Sequence, residues 1–274
     1  MFERAESGKY VEIHPGIELY YEEVGEGTPL LLVPGWTFTT EVFAYQLEYF
    51  SKKYRVIALD PRSQGRSPVQ QTGNNYERHA ADLARFIKAL GLRDIVLLGW
   101  SVGNHTVWKY VEQEGTAALK ALVTIDMSPT SMSPNPENWT EGTFEELGGA
   151  YNMLETTKGH RDFVEAYARE IMVQRKLSPA EMFWIIEQST KTPTHIAREL
   201  FASLLFSDCT KGAKTASESV PTLNFIAEHW SAKAEPFMTK LFPKTKNVIM
   251  GGHLLFWEHH EKFNKILEEF IDSL

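Results

Sequence analysis

Ser101 stands between two glycines in Gly99-Trp100-Ser101-Val102-Gly103, a G-x-S-x-G pattern. A serine hydroxyl becomes a useful nucleophile only when it stands clear of the backbone and meets a base. The local context fits that demand. Asp94 to Leu98 is an aliphatic, partly β-branched run that reads as a buried strand. Asn104 to Val111 reads as a helix. Strand, sharp turn and helix form the elbow on which a nucleophilic serine is displayed, and the flanking glycines let strand and helix pass closely.

The elements that must position this serine follow from hydrophobic patterning. Val11-Glu12-Ile13 and Ile17 to Glu22 alternate around His14-Pro15-Gly16, which predicts a hairpin. Pro29 to Val33, Arg55 to Asp60, Ala118 to Asp126, Pro221 to Ala227 and Lys246 to Met250 read as further strands. Helices are expected over Glu41 to Lys52 and Tyr76 to Leu90, with a last, amphipathic one from about Glu258 to Leu274. Continuous apolar strands alternating with helices imply an α/β fold, a mostly parallel, doubly wound sheet. The pattern breaks between residues 128 and 218, where prolines lead into helical stretches without a strand. The expected organisation is therefore a core of residues 1–127 and 219–274 with an inserted helical cap of residues 128–218. Met182, Phe183, Trp184, Phe201 and Phe206 would face the mouth of the sheet or form the cap's own core.

Open α/β sheets bind ligands outside the carboxyl ends of their strands. Four groups of reactive residues lie there: Pro34-Gly35-Trp36, Ser101, Asp126, and His253 in Gly251-Gly252-His253. With Leu59-Asp60-Pro61-Arg62-Ser63-Gln64-Gly65-Arg66-Ser67, these motifs resemble the α/β-hydrolase family in order and spacing, over almost the whole chain. The resemblance implies that Ser101 is the nucleophile and His253 its base. Many family members carry the triad acid as an aspartate after the strand matching Thr222 to Ala227. This chain has Glu228-His229-Trp230 there instead. A minority, including haloalkane dehalogenases, carry it after the strand that follows the elbow helix, where Asp126 stands. Asp126 is therefore assigned as the acid, with Glu228 in reserve. By the same resemblance the backbone N–H groups of Trp36 and Val102 form the oxyanion hole. Trp100, Phe183 and Trp184 are candidates for an apolar, aromatic pocket. Pro34 stands where many relatives have histidine. His14, His79, His160 and His195 are expected at the surface, and the charges of the Asp60 to Arg66 loop are expected to pair with each other.

Composition narrows the function classes. The chain has 274 residues, 43% hydrophobic and 23% charged, enough for one large domain with a full core. A net charge of −8 without a basic stripe argues against nucleic-acid binding. Met1-Phe2-Glu3-Arg4-Ala5-Glu6 lacks a signal pattern, and no apolar run reaches the ~20 residues of a membrane span. With one cysteine, Cys209, these features predict a cytoplasmic location and no membrane partner. No metal-ligand spacing or dinucleotide fingerprint is present, so no cofactor is expected. The reading is a serine hydrolase cleaving an ester or related acyl bond of a small substrate. Lactonase, C–C hydrolase and cofactor-free perhydrolase chemistry share the same triad. A slow-turnover small-molecule receptor is the alternative from another class.

Overall fold

The computed structural model describes residues 8–274; the N-terminal stretch read above for a signal pattern lies outside the described residues. Among the described residues eight strands form one sheet: β1 (Gly8–His14), β2 (Ile17–Val24), β3 (Pro29–Val33), β4 (Arg55–Leu59), β5 (Ile95–Trp100), β6 (Leu119–Ile125), β7 (Thr222–Ile226) and β8 (Lys246–Ile249). Their order is β1-β2-β4-β3-β5-β6-β7-β8. β1 and β2 pair antiparallel and β2 joins β4 antiparallel. From β4 to β8 every pairing is parallel. The sequence expectation of a mostly parallel sheet is met.

Successive side chains of a strand point to opposite faces, and β5 shows how this builds two cores. Ile95 and Leu97 join the cluster packed by α2 (Tyr76–Ala89) and α3 (Gly103–Glu114). Val96, Leu98 and Trp100 join the cluster packed by α1 (Ala44–Phe50) and the C-terminal helix. In α2 the buried residues His79, Leu83 and Phe86 recur at helical spacing, and Asn75 caps the helix by accepting from the Arg78 N–H.

Between β6 and β7 run α4 (Phe144–Met153), α5 (Thr157–Tyr167), α6 (Pro179–Thr190), α7 (Thr194–Phe206) and α8 (Thr210–Ser219). A π-helical turn, Ala168–Met172, extends α5. Within this stretch α8 behaves differently from the rest. It lies directly on α3, where a Cβ at Gly212 would sit 2.0 Å from the Trp108 carbonyl oxygen. α9 (Ser231–Leu241) joins β7 to β8, and α10 (Leu255–Glu258) and α11 (His260–Asp272) end the chain. The helix expected over Glu41 to Lys52 starts as a 3₁₀ turn, Thr40–Phe43. The single C-terminal helix expected is two, broken at His259. Among the described residues no helix is long and apolar enough to cross a membrane.

Candidate active site

The turn after β5 is built by close approach. A Cβ on Gly103 would lie 2.5 Å from the Val33 carbonyl oxygen and 2.6 Å from that of Pro34. One on Gly99 would lie 2.6 Å from Asn104 Oδ1. Only glycine fits these two positions, so α3 can start hard against β3 with Ser101 at the apex. Ser101 takes φ 52°, a left-handed conformation that non-glycine residues rarely adopt. Its N–H donates to the Ile125 carbonyl at 2.8 Å, and Asn104 Nδ2 donates to the same oxygen at 2.9 Å. The Ser101 hydroxyl bonds to no described residue and faces a cavity of about 400 Å³.

His253 lines the same cavity. Its Nδ1 lies 2.7 Å from Asp126 Oδ2, and both side chains are buried. The other oxygen, Asp126 Oδ1, accepts the Ala227 N–H at 2.7 Å. Asp126, at φ 46°, is a second left-handed residue at the carboxyl edge of the sheet. The histidine's backbone is pinned from two sides. Its N–H donates to the Ile171 carbonyl in the π-helical turn (3.1 Å), and its carbonyl accepts from Trp100 Nε1 (2.8 Å). The Tyr167 ring meets the imidazole edge-to-face at 5.5 Å.

Glu228 does not join this pair. It is exposed, accepts from Gln174 Nε2 at 2.7 Å, and accepts from the Gly251 N–H at 3.2 Å. These donors, the Gln174 amide first, hold its carboxyl below the usual range. Its place is behind the loop that carries His253.

The loop after β3 brings Trp36 to the opposite wall. Gln64 Nε2 donates to the carbonyls of Gly35 (3.1 Å) and Phe38 (2.9 Å), and the Thr37 hydroxyl donates to the Trp36 carbonyl (2.6 Å). The carbonyls of Gly35, Trp36 and Phe38 are thereby satisfied. The backbone N–H groups of Trp36 and Val102 donate to no described residue. Both residues line the cavity that Ser101 faces, and backbone donors left free in this way can hold a negative oxygen. A free hydroxyl, an imidazole backed by a buried carboxylate, and two free amides can together perform acyl transfer.

The cap holds the same loop. Trp36 Nε1 donates to the Ala197 carbonyl of α7 at 2.8 Å, and the Thr39 hydroxyl donates to Gln188 Oε1 of α6 at 2.9 Å. The hydroxyls of Thr37 and Ser189 are hydrogen-bonded, and Ser189 Oγ in turn lies 3.4 Å from His160 Nε2.

Four sequence expectations are corrected. Phe183 is 59% exposed, and Trp184 stacks on Trp257 at 5.4 Å, so neither lines the cavity. Phe201, Phe163 and Tyr167 do, together with Trp36 and Trp100. Phe206 is 82% exposed and so takes neither place expected of it, whereas Met182 lies in the core and Phe201 reaches the mouth, the two alternatives the cap residues were given. His79 and His160 are buried rather than superficial, and burial pushes each imidazole down to about 4. Arg62 pairs outside its own loop, donating through Nε to Asp82 Oδ2 (2.6 Å) and through Nη2 to Oδ1 (3.0 Å) in α2. Asp60 accepts the backbone N–H of Arg66 within the loop (2.8 Å) and that of Thr40 outside it (2.6 Å).

Glu141 was not anticipated either. The Glu141 carboxylate reaches the cavity and accepts the Ser128 N–H at 3.1 Å. Burial pushes its carboxyl up to about 7. In the sequence it follows Glu137 by four residues, with no pattern to distinguish the two.

Comparisons with known proteins agree with this architecture. The chain is 24% identical over 278 residues to the AB hydrolase superfamily protein YisY of Bacillus subtilis (strain 168), covering 97% of this chain and all of that one. It is 34% identical over 140 residues to a non-heme haloperoxidase of Rhodococcus erythropolis, about half of each chain (50% and 51%). An esterase from Exiguobacterium antarcticum shares the fold, with a TM-score of 0.88 and 22% identity over 97% of this chain and 99% of that one. The family model of the alpha/beta hydrolase fold matches residues 28–260, and the chain belongs to that family.

Proposed function

We propose that the protein hydrolyses an ester or related acyl bond of a small, mainly apolar substrate through an acyl-enzyme on Ser101. His253 Nε2 takes the Ser101 proton as Oγ attacks the carbonyl carbon. The negative oxygen that forms is held by the Trp36 and Val102 N–H groups. The tetrahedral intermediate collapses, the alcohol leaves with the proton from His253, and water repeats the sequence to release the acid. Asp126 keeps the proton of resting His253 on Nδ1 and stabilises the imidazolium. One observation carries the reading: the buried Asp126–His253 pair opens onto an aromatic cavity that also holds Ser101 and two unpaired amides.

Multiple turnovers of phenyl butanoate, with fluorophosphonate labelling confined to Ser101, are expected. Absence of labelling would overturn the proposal, and a single-turnover burst would favour a receptor. The similarity to a non-heme haloperoxidase favours a second reading. Hydrogen peroxide in place of water would attack the acyl-serine, giving a peroxy acid and the free hydroxyl. Peroxy acid formed from phenyl butanoate and hydrogen peroxide, faster than in the Ser101→Ala protein, would establish it.

A further inference from the structure

The cavity wall is aromatic and aliphatic apart from a few polar groups. Trp36, Trp100, Phe163, Phe201 and Tyr167 present ring surface to it. Two acidic side chains line it, Glu141 and Glu146, and no lysine or arginine does among the described residues. Glu146 is exposed and committed to the cap of α4, where its Oε2 accepts from the Thr143 N–H (2.8 Å) and hydroxyl (2.9 Å). Glu141 differs. It is partly buried, and its single hydrogen-bonded partner among the described residues is the Ser128 N–H, on Oε1. Its second oxygen has no partner among the described residues. It lies near enough to the catalytic pair to feel the charges of both His253 and Asp126.

We infer that Glu141 and the surrounding aromatic rings form a subsite for a positively charged amine on the substrate. The inference rests on the hydrolase reading and names the substrate class within it: mainly apolar esters with a cationic tip. A partly desolvated carboxylate without a counter-charge is unfavourable, and a bound cation supplies that charge. Burial raising the carboxyl to about 7 is the behaviour of such an uncompensated anion. Aromatic faces attract cations through the ring quadrupole, most strongly where water is excluded. The chain's net charge of −8 draws a cation towards it and repels anionic substrates. A carboxylate-bearing substrate would meet Glu141 and find no positive side chain.

The test compares two esters of the same shape: phenyl butanoate with a terminal trimethylammonium group, and its isostere with a terminal tert-butyl group. Kinetics are measured at mildly alkaline pH with the full chain and with Glu141→Gln. Glutamine keeps an acceptor for the Ser128 N–H and removes the charge. The wild-type protein is expected to favour the ammonium ester by about tenfold in kcat/KM, the size of one desolvated cation contact. Glu141→Gln should abolish that preference, bringing the kcat/KM ratio of the two esters to within about twofold of one. No preference in the wild type, or an equal loss on both esters, would overturn the inference and leave the hydrolase reading intact. Calorimetric binding of the ammonium ester to the Ser101→Ala protein, with and without Glu141→Gln, is independent of turnover. Glu141-dependent binding there, with no hydrolysis by the wild type, would sink the hydrolase reading and sustain the subsite.

Discussion

Asp126→Asn is the most discriminating substitution, because both oxygens of the carboxylate are committed. Oδ2 meets His253 Nδ1 at 2.7 Å and Oδ1 accepts the Ala227 N–H at 2.7 Å. Asparagine tolerates the left-handed backbone at this position, but it has one acceptor oxygen where two are needed. If that oxygen stays on the Ala227 N–H, the amide NH₂ faces Nδ1. Nδ1 must then accept, and the ring proton moves to Nε2, the nitrogen needed to take the serine proton. The flipped amide restores the tautomer but sets NH₂ against the buried Ala227 N–H, at about 1–3 kcal/mol. Loss of the buried negative charge beside the imidazolium adds about 3–5 kcal/mol. The two together bracket the ~5.5 kcal/mol of a 10⁴-fold loss, the size known for this change in a serine triad. The assay is kcat on phenyl butanoate, with thermal unfolding as the check on fold. Glu228→Gln serves as the comparison and should stay within about threefold, since glutamine still accepts from the Gly251 N–H. A loss below about tenfold in Asp126→Asn, or a severe loss in Glu228→Gln, would refute the reasoning.

Ser101→Ala should abolish fluorophosphonate labelling and leave only the ~10³-fold residual catalysis of binding and oxyanion stabilisation, while the fold persists. Gly103→Ala places a methyl 2.5 Å from the Val33 carbonyl oxygen; overpacking of this kind costs about 1–3 kcal/mol, read as a Tm lowered by roughly 2–10 °C. Ser189→Ala removes the hydroxyl that joins Thr37 to His160, and kcat should fall about tenfold with KM little changed, because the loop carrying the Trp36 N–H loses its support. Stability should depend on pH through His79, His160 and His105, the last buried on α3, each pushed by burial from 6.5 to about 4. The unfolded chain binds more protons at these sites between pH 4 and 6.5, so their contribution is lost as pH falls through that window. Asp60 and Glu141, raised to about 7, oppose the trend in the same window, but two carboxyls do not cancel three histidines. Thermal unfolding should therefore show Tm falling with acidification below pH 6.5, with a shallower slope in His105→Gln; an unchanged slope would remove His105 from the account.

The sheet is legible because parallel strands buried on both faces must be apolar throughout. Pro29–Val33 and Arg55–Leu59 announce themselves, and so does the glycine-bounded turn at Ser101. The two carboxylates that compete for His253 are less legible. Their order along the chain allows either, and it takes the parallel pairing of β6 with β7 to set Asp126 on the Ala227 N–H and beside His253. The buried histidines carried a usable signal: His79 shares the spacing of Leu83 and Phe86, and His160 lies one helical turn before Val164. The Arg62–Asp82 pair spans twenty residues without any pattern to connect them. Phe183 and Trp184 show the limit within the cap. Short helices with weak amphipathicity do not declare which side faces inward, so an aromatic there is as compatible with solvent as with a pocket.

The cap contributes more than a cover. A helical insertion needs only apolar contact to close a cavity, yet this one is attached to the site by directed bonds. α6 and α7 hold the Trp36–Thr39 loop through Ser189, Gln188 and the Ala197 carbonyl. The π-helical turn after α5 accepts the backbone N–H groups of His253 and Leu254 through the carbonyls of Ile171 (3.1 Å) and Met172 (2.7 Å). An ordinary α-helical end would leave its last carbonyls seeking partners; here two of them are satisfied by the histidine loop. On the proposed mechanism, the cap thus fixes the loop that bears one oxyanion donor and the loop that bears the base, while the sheet fixes the serine and the acid. Movement of the cap would therefore alter catalytic geometry as well as access, and substrate contacts with Phe163, Tyr167 or Phe201 have a direct mechanical route to the reacting atoms.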